Sequence, residues 1–264
     1  MIDAHVHLWR LGQNDCIWPT ADDAAIHRDV ELAELTATLA GNGVDRAVLV
    51  QSQESPRDTD WLLDLARGSD RIAGVVGWVD LHREGAVAAR AADPLLVGLR
   101  PMVQGCAADW YDDPALDPAF AAMAAHGLVL DALIRPRHLP SLARLAARHP
   151  TLAIVIDHAA KPGATADWHA AIAPLAGLGN VRVKLSGLIT EMPVERIGEI
   201  AATLLAAFGA ERLIWGSDWP VLTMAGSYEG WLAMARALIP ARNHGAVFGG
   251  NAARVYGLRE AAHG

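Results

Sequence analysis

Short β-branched runs alternate with longer Ala- and Leu-rich stretches about eight times along the chain, and this alternation restricts the fold more than any other feature. The runs extend from Ile2 to Leu8, Arg46 to Ser52, Ile72 to Asp80, Leu96 to Met102, Leu128 to Ile134, Leu152 to His158, Val181 to Gly187 and Arg212 to Asp218. Between them, stretches such as Val30 to Ala40, Ala119 to His126, Leu139 to Arg148 and Val194 to Phe208 space their apolar residues with helical period. Strand then helix, repeated, predicts a parallel sheet. At 264 residues the chain accommodates eight such units with little left over, so the expected fold is a single-domain α/β (β/α)8 TIM barrel over residues 1–264. An open, doubly wound sheet is the structural alternative. A last helical segment, Gly250 to Tyr256, is expected to close the bottom or side of the barrel.

Composition narrows the function classes. A formal charge of -8 without long runs of like charge favours neither nucleic acid nor an anionic membrane surface as partner. Two cysteines, Cys16 and Cys106, make no disulfide framework, and a reduced compartment is the simpler reading. No apolar stretch is long enough to span a bilayer, and Asp3, His5 and His7 stand where a signal peptide would need basic and apolar regions. The expectation is a cytoplasmic enzyme acting on a small molecule; monomer and homo-oligomer stay open.

In a barrel the working residues belong at the carboxyl ends of the strands. Alternation along the first strand places Asp3, His5 and His7 on one face and Ile2, Ala4, Val6 and Leu8 on the other. Two imidazoles one pleat apart suit two ligands of a divalent metal or two donors to one oxygen. On the sixth strand, parity groups His158 with Ile154 and Ile156 and sets Asp157 on the opposite face, where a structural role suffices. A hydrogen-bonded loop histidine is the alternative for His158. On the eighth strand Asp218 follows Ile214 and Gly216, placed to take a proton from water or to cap the turn before Trp219 and Pro220. Arg182, Lys184 and Ser186 share a face of the seventh strand, so Lys184 either meets a partner inside the barrel or extends at the rim.

The segments IDAHVHLW (2–9), DHAAKP (157–162), VKLSGL (183–188) and GSDWPV (216–221), supported by VQSQES, GVVGWVDL, GLRPMVQ and RPRHLP, resemble the amidohydrolase-related lactonases. Within that group the chain is most similar to sugar lactonases of the L-fuconolactonase and L-rhamnonolactonase kind, with 2-pyrone-4,6-dicarboxylate lactonase more distant. The resemblance implies that His5 and His7 line the metal or carbonyl site, that His158 assists, and that Asp218 activates the hydrolytic water. The chain departs from the metal-rich members of the superfamily. Its fifth strand carries no histidine, Arg100 stands where those members have a bridging lysine, and Pro101 stands beside it where the pattern has a histidine. A binuclear centre is not expected. One divalent ion, zinc, held by His5, His7 and Asp218 is the candidate cofactor, with metal-independent hydrolysis as the alternative.

Opening a lactone requires a base for water, donors or a metal for the developing oxyanion, and a proton or positive neighbour for the leaving alkoxide. Asp218 suits the first, the three histidines the second, and Lys184 or Arg100 the third. Nine tryptophans, including Trp9, Trp18, Trp78, Trp110 and Trp219 near predicted strand ends, offer faces for a sugar ring, although core packing explains a share of them equally well. Gln51, Gln53 and Arg100 are candidates for binding substrate oxygens, and Arg135 and His138 either join them or cap the following helix. The expected reaction is hydrolysis of a sugar-acid lactone to the aldonic acid. A metal-dependent decarboxylase of the same superfamily and a non-catalytic barrel that binds a sugar acid are the rival readings.

Overall fold

The computed structural model describes residues 1–163 and 167–259. All eight predicted strands form, in order: β1 (Ile2–Val6), β2 (Arg46–Val50), β3 (Ile72–Gly77), β4 (Leu96–Leu99), β5 (Val129–Ala132), β6 (Ile154–Ile156), β7 (Val181–Leu185) and β8 (Leu213–Trp215). Each pairs in parallel with the next, in the order β1 to β8. The seam between β8 and β1 is closed just beyond β8. There the Asp218 N–H donates to the His5 carbonyl at 2.9 Å and the His7 N–H to the Trp219 carbonyl at 2.8 Å. The result is a (β/α)8 barrel, which excludes the open-sheet alternative. The strands stop two to three residues short of their predicted carboxyl ends, because those residues have left the ladder to form the loops of the site.

The helices are α1 (Leu32–Gly41), α2 (Pro56–Arg67), α3 (Ala86–Arg90), α4 (Asp117–Ala125), α5 (Leu139–Arg148), α6 (Asp167–Ala176), α7 (Leu188–Glu191), α8 (Val194–Phe208), α9 (Tyr228–Leu238) and α10 (Asn251–Val255). Where the apolar period was clean, the predicted bounds hold. Helix α5 buries Leu139, Leu142, Leu145 and Ala146 against the barrel while Arg144 and Arg148 reach out to Asp112 and Asp117. Helix α8 buries Ile197, Ile200, Ala201, Leu204 and Phe208 on one stripe. Ser55 caps α2 by accepting from the Arg57 N–H, with Pro56 at the first helical position. Among the described residues no helix is long and apolar enough to cross a membrane, and Cys16 and Cys106 are both free thiols.

Two apolar clusters divide the molecule. One lies between the barrel wall and the helices. The other fills the lower barrel with Ile2, Ala4, Val48, Val50, Val76, Val97, Val129, Val155 and Ile214, and Ala252 and Tyr256 join it. Helix α10 therefore closes the floor, as its position in the sequence suggested.

The two clusters correct the strand parity at two places. In β1, Asp3 pairs with Ala47 but Val6 pairs with Leu49, so two residues of β1 oppose one of β2. This bulge turns both Ala4 and His5 inward. Asp3 does not share their face. It lies on the outer side, where it accepts from the Ser217 N–H (2.8 Å) and from the Tyr228 hydroxyl of α9 (2.7 Å). In β6, Val155 belongs to the inner cluster and Ile154 and Ile156 to the outer one. Asp157 thus points into the barrel, and strand parity alone would turn His158 away from it.

Candidate active site

His158 reaches the site because the chain leaves β6 in the left-handed region. Residues His158, Ala159, Ala160 and Lys161 have φ of 51°, 51°, 62° and 52°. Left-handed backbone costs a non-glycine residue roughly 1–2 kcal/mol, so four in succession must be held by their surroundings. The holding groups are visible. Ser186 Oγ lies 2.9 Å from His158 Nδ1, the Trp168 indole donates to the Ala159 carbonyl at 2.7 Å, and Lys161 Nζ lies 2.8 Å from Glu191 Oε1. Gly187 makes the packing possible: a Cβ there would lie 2.4 Å from His158 Nδ1, and its own φ is +63°. Gly216 does the same for His5, since a Cβ would stand 2.7 Å from the His5 Cβ.

The four central side chains converge. His5 Nε2 lies 3.1 Å from His7 Nε2, and Asp218 Oδ1 lies 3.4 Å from His7 Nε2, 3.7 Å from His5 Nε2 and 3.9 Å from His158 Nε2. All four are buried. Burial holds the His158 imidazole down to about 4 and the His5 imidazole well below the ordinary histidine value, so both are neutral at pH 7. Burial alone would raise the Asp218 carboxyl, but the imidazoles around it, His158 foremost, outweigh it and hold the group below the usual carboxylate range.

The partners define the tautomers. His7 Nδ1 faces the Val50 carbonyl at 2.8 Å, which only accepts, so Nδ1 carries the proton and Nε2 offers a lone pair to the site. His5 Nε2 then donates to His7 Nε2, and His5 Nδ1 accepts from Lys184 Nζ at 3.3 Å.

Beneath the histidines lies a charged layer in which Lys184 meets partners inside the barrel, one of the two readings its strand parity left open. Lys184 is fully buried, with Nζ against Asp131 and 3.1 Å from Asp157. Tyr256, rising from the end of α10, donates to Asp131 at 2.8 Å. Asp157 Oδ1 is 3.4 Å from His5 Nδ1 and its Oδ2 is 3.5 Å from Arg100. Burial pushes the Asp131 carboxyl up, against the pull of Lys184, whereas Lys184 and His5 outweigh burial at Asp157 and hold it well below the carboxylate range. Lys184 is thus an internal structural cation below the histidines, neither at the rim nor on the cavity wall.

Above the four central residues opens a cavity of about 310 Å³, lined by His7, Trp18, Ser52, Arg100, Met102, Gln104, Leu133, His158, Lys161, Asp218 and Val221. Of the expected substrate contacts, Arg100 lines it, with a buried Nε that has no hydrogen-bond partner among the described residues. Gln51 lies behind Arg100, donating to its carbonyl at 2.8 Å, and Gln53 holds the Trp18 loop through the Trp18 carbonyl and the Ile17 N–H. Trp78 lines a separate surface cleft with Pro56 and Asp80. Trp219 is buried in the seam, Trp9 in the core, and Trp110 packs on Tyr111. Of the five tryptophans, Trp18 alone lines the cavity. His138 bonds to the Arg135 backbone and the Cys106 carbonyl, which is the capping role, and Arg135 points to Glu191 at 3.9 Å. Sequence reasoning gave Asp157 only a structural role on the opposite face and passed over Asp131, Tyr256, Lys161 and Gln104.

Two groups of side chains have donor atoms close enough to hold one metal ion: His5, His7 and Asp218, and His5, Asp157 and His158. In the first, the 3.1, 3.4 and 3.7 Å separations bracket the roughly 3.3 Å expected between tetrahedral ligands of zinc. The His7 lone pair aimed inward fits the same use.

The chain is similar to known proteins over nearly its whole length. The chain is 47% identical to an L-fucono-1,5-lactonase of Burkholderia ambifaria, over 97% of this chain and 94% of that one. It is 35% identical to an L-fucono-1,5-lactonase of Burkholderia multivorans, over 99% and 97%. An amidohydrolase of Burkholderia multivorans crystallised with bound zinc superposes with a TM-score of 0.92 at 34% identity, covering 98% of this chain and 99% of that one. The family model described as Amidohydrolase matches residues 2–258, and the chain belongs to that family.

Proposed function

We propose that this protein hydrolyses the lactone of a sugar acid to the open aldonic acid, with Asp218 as general base. The observation that carries the reading is the Asp218 carboxylate, held ionised among three histidines on the floor of a partly apolar cavity. The lactonase relatives at 47% and 35% identity support the reaction class and favour a six-membered sugar lactone such as L-fucono-1,5-lactone.

The ring carbonyl sits above His5 and His7 in this reading. Asp218 takes a proton as the water oxygen bonds to the carbonyl carbon. The C–O ring bond then breaks, the proton passes to the departing ring oxygen, and the acid formed releases its own proton to solvent. Arg100, which lines the cavity and has an unpartnered Nε, supplies a donor for the developing oxyanion, and Gln104, whose Oε1 is likewise unpartnered, accepts from a ring hydroxyl. His158 orients Asp218. His5, His7 and Asp218 fit one divalent ion such as zinc, which when bound would act as a Lewis acid toward the carbonyl.

A pH-indicator assay of the purified protein against L-fucono-, L-rhamnono-, D-galactono- and D-xylono-lactones, with and without prior chelation and beside Asp218→Asn, tests the reading. Acid release that falls roughly 100-fold or more in Asp218→Asn is expected. Absence of turnover on every lactone in both metal conditions overturns it, and the chelated sample decides the metal requirement.

A further inference from the structure

The cavity wall carries two permanent cations, and each is matched by a carboxylate outside the wall. Arg100 faces Asp157 at 3.5 Å, and Lys161 faces Glu191 at 2.8 Å. The Lys161–Glu191 pair is largely shielded, with side-chain exposures of 16% and 21%. The remaining wall charge is that of Asp218. A site built to grip a carboxylated substrate would leave a cation free, because an unpaired guanidinium or ammonium is the group that binds a carboxylate strongly. Here the charge of Lys161 is spent on Glu191, and that of Arg100 is offset by Asp157 while its Nε keeps no hydrogen-bond partner among the described residues.

Glu191 is placed by the loop that also shapes the catalytic turn. Gly187, packed against His158, caps the start of helix α7, which ends at Glu191, bonded to Lys161, so one short helix grips both ends of the left-handed turn. Arg135, half exposed on the far side of Glu191, lies at 3.9 Å and keeps the carboxylate balanced between two cations.

We propose that Glu191 sets the charge selectivity of the cavity: by neutralising Lys161 it reserves the site for uncharged lactones and weakens the hold on the carboxylate product. The proposal rests on the lactonase reading and specifies its substrate class. Hydrolysis converts a neutral ring into an anion beside ionised Asp218. With Lys161 paired to Glu191, its ammonium does not retain the anion, and product leaves. Glu191 acts through Lys161 and is a positioning residue.

The test compares wild type, Glu191→Gln, Lys161→Met and the double variant by calorimetric titration with D-galactonate, and by inhibition of D-galactono-lactone opening with the same anion. In Glu191→Gln the galactonate Kd is expected to fall about tenfold, as is the ratio of its inhibition constant to the lactone KM, and Lys161→Met/Glu191→Gln is expected to return both near the wild-type values. D-glucaro-1,4-lactone, which carries a carboxylate, should gain in kcat/KM relative to the galactono-lactone in Glu191→Gln. A Kd no tighter than wild type, including no binding by either protein, overturns the proposal, as does a gain that survives in the double variant. Should Glu191→Gln fail to fold, Lys161→Met decides alone: a galactonate Kd within about twofold of wild type is expected, and tenfold weaker binding shows that Lys161 already grips the anion. Calorimetry reads Glu191 without turnover, so failure of the lactonase reading, seen as an inert wild-type enzyme, is distinguishable.

Discussion

His5 Nδ1 lies 3.4 Å from Asp157 Oδ1, a pairing across the barrel axis between a residue on β1 and one just past β6. The same Nδ1 lies 3.3 Å from Lys184 Nζ. A carboxylate and an ammonium thus compete for one ring nitrogen. When Lys184 donates to it, His5 Nε2 carries the proton; when Nδ1 donates to Asp157, Nε2 is free to bind a cation. The charged layer under the site therefore governs whether His5 Nε2 presents a proton or a lone pair to the site.

Replacing Asp157 by Asn removes the negative charge and one of the two acceptor oxygens and leaves the side-chain volume. Loss of such an orienting partner typically costs 10- to 100-fold, and kcat is expected to fall by about that factor with KM little changed. The second readout is zinc affinity, which should weaken by a similar factor in a competition titration against a chromogenic chelator. A variant with wild-type kcat and zinc affinity would show that Asp157 only balances Lys184.

Lys184→Met addresses stability. The ammonium is fully buried between Asp131 and Asp157, and removing one partner of a buried pair leaves uncompensated charge, at a cost of about 3–5 kcal/mol. Urea denaturation should show that loss. Asp131→Asn added to Lys184→Met should recover part of it, because the cycle removes one of the orphaned charges. Equal or additive losses would contradict the network.

The eight strands, the long helices and the four central residues were legible because each rests on local information: β-branched runs, helical spacing, and histidine or aspartate at a strand end. What escaped the sequence was two departures from regular backbone. A one-residue bulge in β1 moved Asp3 to the outer side, and a left-handed turn after β6 carried His158 inward while strand parity delivered Asp157. Neither leaves a periodic signal, and Ala159 and Ala160 are residues that ordinarily avoid the left-handed region. The internal salt-bridge layer was hidden for a related reason. Asp131 and Tyr256 lie 125 residues apart in the chain and meet Lys184 only through closure of the barrel floor by α10.

Gly187→Ala tests the clamp on the left-handed turn. The added Cβ would lie 2.4 Å from His158 Nδ1 and 3.1 Å from Asp218 Oδ2, on a backbone with φ +63°. The backbone term is about 1–2 kcal/mol and overpacking about 1–3. The variant is expected to lose stability by an amount in that range and, because His158 and Asp218 must both move, to lose kcat by more than tenfold at temperatures where it stays folded. Retention of kcat within about twofold would show that the His158 position is not required.

His158 also gives the site an acid limit whose sign can be worked out. Its folded-state value, held down to about 4 by burial, is below the ordinary 6.5, so between these pH values the unfolded chain binds more protons than the folded one. The stability it contributes is complete above pH 6.5 and is lost as pH falls toward 4, by roughly 3 kcal/mol in total. Asp3 works in the opposite direction: burial raises its carboxyl from 3.8 to about 6, so its share grows as pH falls through that range. The His158 term is therefore measured as the difference between the chelated wild type and His158→Gln in urea denaturation at pH 7 and pH 4.5. Wild type should lose more stability than the variant over that step. In the same window kcat/KM should hold its plateau below pH 6 and fall as pH approaches 4, where His158 takes up its proton. An activity loss centred near pH 6.5 would show instead an imidazole in contact with solvent, and would contradict the burial that defines this site.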